Sequence, residues 1–221
     1  MENMMQKKNV LWIDIVKAIL ILLVVIGHSN CSERIIQIIF WFHMPVFFMV
    51  SGYLLSMPTN NYYQWIIRKI KRFLIPYACY YIMIALLNND FSLKSILLMV
   101  YGGRKINGVY WYITVLFLSE IVILLIEKIQ SFKIKIGILG SCYLLAIAES
   151  YFLIPSEPAH IPTWLMLPWD MDVVLIAVVY LGIGYYGKSI IQKYAYSIDG
   201  YEKKKHIFNV WFNCIILDFN Y

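Results

Sequence analysis

Residues 10–28 read VLWIDIVKAILILLVVIGH, nineteen positions whose only ionisable groups are Asp14, Lys17 and His28. As a helix rising 1.5 Å per residue, such a run covers about 28 Å, close to the roughly 30 Å hydrocarbon core of a bilayer. Five more apolar runs follow, at residues 35–55, 73–87, 109–126, 134–153 and 171–186. The third is short for a crossing. Residues 92–101 are too short to cross and are expected to lie re-entrant or flat, and residues 207–219 open another span that the chain end interrupts. The expected fold is therefore all-α, a polytopic transmembrane helix bundle of six spans plus an incomplete seventh, forming a single membrane domain over residues 1–221.

Composition agrees. The chain is 61% hydrophobic and 14% charged, whereas soluble domains are about half apolar and a quarter charged. Its aromatic residues, 17% of the total, suit the belts that sit at headgroup level. The net charge of +6 comes from short clusters between apolar runs rather than one stripe, which argues against nucleic acid as a partner and for membrane orientation. Lys7 and Lys8, the run from Arg68 to Arg72, Lys128 with Lys133 and Lys135, and Lys188, Lys193 and Lys203 to Lys205 all fall on one side if residues 92–101 do not cross. The positive-inside rule then places the N-terminus in the cytoplasm, with Arg104 and Lys105 as the exception. Residues 10–27 resemble a signal peptide's apolar core, but no small-residue cleavage site follows, so the segment is expected to stay as the first span. The four cysteines are scattered without metal-type spacing and read as apolar fillers, and no metal is expected.

Charged groups inside hydrocarbon are costly, which makes Asp14, Lys17 and His28 functional candidates. On a helix Lys17 and His28 differ by about 20° in azimuth and about 16 Å in height, with Asp14 about 60° from Lys17. One face carries all three, reaching different parts of a long ligand or passage; alternatively Asp14 and Lys17 snorkel to the interface and His28 caps the span. The second run holds Phe42-His43-Met44-Pro45 and ends Ser51-Gly52-Tyr53, so His28 and His43 face one pocket if the two spans pair. An imidazole suits general-base work on an alcohol because it titrates near working pH. Lys69 and Arg72 share a helix face, and such a pair suits the phosphates of an acyl donor such as coenzyme A; orientation alone also accounts for the cluster.

Several short motifs occur in a recognisable order: Ile13-Asp14-Ile15-Val16-Lys17 followed after ten residues by His28, Phe42-His43-Met44-Pro45, Ser51-Gly52-Tyr53, the basic run before Pro76-Tyr77, Tyr110-Trp111-Tyr112-Ile113, and Leu167-Pro168-Trp169-Asp170 ahead of Gly182-Ile183-Gly184. Together they resemble the acyltransferase-3 family of integral membrane O-acyltransferases, in particular its fucose 4-O-acetylase-like branch, over most of the chain. Lys17 stands where many relatives have Arg. The resemblance implies transfer of an acetyl group from cytoplasmic acetyl-CoA to a hydroxyl of a surface or capsular polysaccharide sugar, or of its lipid-linked precursor, at a bacterial inner membrane. It implies His28 as catalytic base or acyl relay, Lys17 as a donor-side or orienting group beside Asp14, and His43 as a second pocket residue. Lys69, Arg72 and Arg68 would meet the donor phosphates, and Trp111 and Ser51 would line the substrate pocket. Relatives usually carry more spans, so the resemblance also implies a C-terminally truncated chain or a short variant. The alternatives are an inactive fragment, or a non-enzymatic polysaccharide export component whose Lys17 and His28 line a passage.

Overall fold

A computed structural model describes residues 11–102, 110–152 and 167–192, and it is helical with no strand among them. The helices are α1 Leu11–Gly27, α2 Glu33–Leu54, α3 Tyr62–Asn88, α4 Leu93–Tyr101, α5 Trp111–Glu127, α6 Phe132–Phe152 and α7 Met171–Tyr186, the last entered through a 3-10 turn at Pro168–Asp170. They form one unit that closes at Tyr185; the second unit, from Tyr186 on, is described only through residue 192. Outside the described residues lie Lys7, Lys8, Arg104, Lys105, Lys193, Lys203 to Lys205, Cys214 and the expected span at residues 207–219.

Among the described residues, three helices are long and apolar enough to cross a membrane: Glu33–Leu54, Tyr62–Asn88 and Pro168–Tyr186. Helices α1 and α5 are each 17 residues long. The short third apolar run proves to be the distal part of a 27-residue helix. Asn61 caps that helix by accepting the Gln64 N–H at 3.2 Å, so it starts eleven residues before the apolar run and carries the basic cluster within it. The Trp65 indole N–H donates to the Ser56 carbonyl at 3.0 Å and pins the same end. Residues 92–101 form the short helix α4, capped by Ser92. The exposed Asp90 before it accepts from Ser95 Oγ at 2.5 Å and from the Ser92 N–H at 3.1 Å, which hold its carboxyl below the usual carboxylate range.

Helix α5 is the most enclosed element: Val115 and Ile123 are fully buried, as are Ala177 and Leu181 of α7. By contrast Ile21, Leu22 and Val25 of α1 and Leu86 and Leu87 of α3 are exposed large apolar side chains, the pattern of a surface solvated by lipid chains. Two glycines explain a tight helix crossing. A Cβ on Gly52 would lie 2.0 Å from the Leu181 carbonyl oxygen, and one on Gly184 would lie 1.9 Å from that of Met49. Helices α2 and α7 thus meet backbone to backbone, as small residues permit in membranes. Gly182 faces a third helix, where a Cβ would meet Leu139 Cδ1 of α6 at 2.8 Å. At the entry to α7, Trp169 and Asp170 both adopt positive φ, 56° and 52°. The Trp169 indole donates to the Val100 carbonyl at 2.7 Å, tying the turn to α4.

Candidate functional site

Helices α1 and α2 pack as an antiparallel pair, and this brings His28, just past the end of α1, beside the first half of α2. The His28 and Phe40 rings meet edge to face at 5.7 Å, and Phe40 lies 5.2 Å from the His43 ring. A cavity of about 400 Å³ opens there, lined by Val24, His28, Phe40, His43, Met44, Phe47, Trp111 and Tyr112. It therefore belongs to α1, α2 and the start of α5 together.

Each imidazole is held the same way. His28 Nδ1 lies 2.8 Å from the Val24 carbonyl oxygen, and His43 Nδ1 lies 2.7 Å from that of Ile39. A carbonyl only accepts, so each Nδ1 carries a proton, and in the neutral ring Nε2 is left as the acceptor. That tautomer is the one a general base needs. His43 is 1% exposed, whereas His28 is exposed and open to an incoming molecule. Tyr112, between Phe47 and Phe48 at ring distances of 5.7 and 5.1 Å, places its hydroxyl 3.1 Å from Ser51 Oγ. Ser51 thus reaches the cavity wall through Tyr112. A second cavity of about 350 Å³ between α3 and α4 is lined by Tyr81, Asp90 and Ser95 without an imidazole, and a third of about 420 Å³ between α6 and α7 carries Glu149 and Asp172; the first is set apart by its two imidazoles.

The remaining candidates lie elsewhere. Lys17 and Asp14 pair with each other at 3.4 Å, their side chains 41% and 58% exposed, and neither lines the histidine cavity. On α3, Arg68 and Arg72 are exposed, and the Arg72 guanidinium lies 5.7 Å from the Phe73 ring centroid. Lys69 instead turns inward and forms an ion pair with Glu120 of α5 at 2.7 Å. Tyr112 stands in the motif Tyr110-Trp111-Tyr112-Ile113 without a role read from sequence, and Glu120 is a residue that the motifs do not include. Glu120 was visible as the single acid in the apolar run at residues 109–126, and an ionisable group so placed calls for a partner.

A family model described as an acyltransferase domain, the acyltransferase-3 model, matches residues 10–197. With its apolar helices and histidine cavity, the molecule is a membrane acyltransferase. The chain belongs to the acyltransferase-3 family. Neither curated proteins nor solved structures give a match.

Proposed function

We propose that the chain moves an acetyl group from acetyl-CoA to a sugar hydroxyl of a surface or capsular polysaccharide, or of its lipid-linked precursor, as in the fucose 4-O-acetylase-like branch of the family. One observation carries the proposal: two imidazoles with free Nε2 atoms share a cavity with Trp111 and Tyr112. His28 Nε2 takes the acceptor hydroxyl proton as that oxygen attacks the thioester carbonyl. The C–S bond breaks, the sulfur leaves with the proton returned by the imidazolium, and the products are the sugar ester and free coenzyme A. His43, buried and fixed, orients the acceptor, and the Trp111 indole offers an apolar face to a sugar ring.

The donor's phosphates fall to Arg72 and Arg68, exposed at the end of α3 where cations gather. There Lys135 pairs with Glu127 at 2.8 Å and Lys128 lies 5.5 Å from the Tyr62 ring centroid. Lys17 and Asp14 sit on α1 towards the same end and serve as orienting groups for the donor. In this reading α1, α5 and α6 cross as well as α2, α3 and α7, giving six spans in a bacterial inner membrane, with the N-terminus and basic ends cytoplasmic. The test is the O-acetyl content of surface polysaccharide, measured by mass spectrometry in a host with and without the chain. Added acetyl esters are expected; unchanged content with stably inserted chain would contradict the proposal.

A further inference from the structure

Lys69 differs from the rest of the basic run. Arg68, Lys71 and Arg72 are exposed, whereas the Lys69 side chain is 14% exposed and its Nζ lies 2.7 Å from Glu120 Oε2, on a side chain 5% exposed. Trp65 and Phe73, four positions to either side, place their ring centroids 5.0 and 5.7 Å from that ammonium. Such rings favour a cation held between them. Phe73 also packs on Phe117 at 6.4 Å. Two interlocking pairs, Lys69 with Glu120 and Phe73 with Phe117, therefore join one face of α3 to one face of α5.

We infer that Glu120 is a positioning residue of the donor site. It holds Lys69 as a tie between α3 and α5, away from the donor, and thereby fixes the direction in which Arg68 and Arg72 present their guanidinium groups. The donor's identity rests on the acyl-transfer reading, while the tie rests on the ion pair. Removing one member of a buried pair strands the other charge, whereas replacing both by apolar side chains of similar volume restores packing. A lysine that bound phosphate would behave oppositely, because no apolar pair replaces its charge.

The experiment measures equilibrium binding of radiolabelled coenzyme A to the full chain in detergent, which needs no acetyl transfer. Lys69→Met and Glu120→Leu are each expected to weaken binding about tenfold, and the double variant to return within about threefold of the parent. Arg72→Ala is expected to weaken binding in every background. A double variant as weak as Lys69→Met would make Lys69 itself the phosphate ligand and overturn the inference, as would unchanged or tighter binding by Glu120→Leu. Thermal unfolding of the same variants is expected to be non-additive; additive shifts would remove the tie. A parent that binds coenzyme A yet transfers no acetyl group would remove the acyl-transfer reading and leave the inference standing. A parent that does not bind it would remove the donor role of Glu120.

Discussion

His28 and His43 each commit one ring nitrogen to the carbonyl four residues back, so their reactive nitrogens are set by helix geometry rather than by another side chain. His28→Ala is expected to abolish acetyl transfer while leaving the amount of membrane-inserted chain unchanged, measured by labelled-acetate incorporation and immunoblotting. Activity near that of the parent would remove His28 from the mechanism. Tyr112→Phe deletes one hydroxyl, the one 3.1 Å from Ser51. Its loss is expected to cost about 1 kcal/mol of stability, read from unfolding in detergent. The two histidines were legible in the sequence because ionisable groups are rare inside apolar runs. Tyr112 was not, since a tyrosine beside a tryptophan at a span end reads equally as interfacial belt. Lys69 was legible as a cation, but its partner was hidden fifty-one residues on, and only the packing of α3 against α5 brings them together.

At the scale of elements, the crossing of α2 and α7 depends on the absence of two side chains. Gly184→Ala and Gly52→Ala would each drive a methyl group into a carbonyl oxygen at about 2 Å, and each is expected to destabilise by more than about 4 kcal/mol. Little folded chain should then survive detergent extraction. The internal control is α6, where a Cβ on Gly137 or Gly140 meets nothing within 4 Å. Alanine there is expected to be neutral or stabilising by up to about 1 kcal/mol, because glycine is the poorer helix former. Asn61→Ala removes the cap of α3 and should cost about 1 kcal/mol, measured the same way. Hydrophobic runs located every described helix in the sequence, but they misplaced the start of α3. Its first turns are polar and basic, and a start signal made of Asn61 and Gln64 is easily read as loop. The meaning of Ser51-Gly52-Tyr53 and Gly182-Ile183-Gly184 was equally hidden, because two glycines far apart in sequence reveal a crossing only once the helices are placed.

Across the molecule, the two imidazoles of the cavity and the guanidinium groups of Arg68 and Arg72 lie towards opposite ends. The cavity is built at the close of α1 and the start of α5, whereas Glu120 lies nine residues, about 13 Å, further along α5 with the basic end of α3 beside it. That separation suits the proposed donor and acceptor approaching from opposite sides, with ionisable groups of α1 at both levels. The match over residues 10–197 assigns the chemistry to acyl transfer in general. The most direct measurement supplies radiolabelled acetyl-CoA to membrane vesicles carrying the chain, with His28→Ala vesicles alongside, and counts label esterified to polysaccharide. The account predicts base-labile incorporation by the parent and none by the variant. Equal incorporation by both, or none by a stably inserted parent, would contradict it.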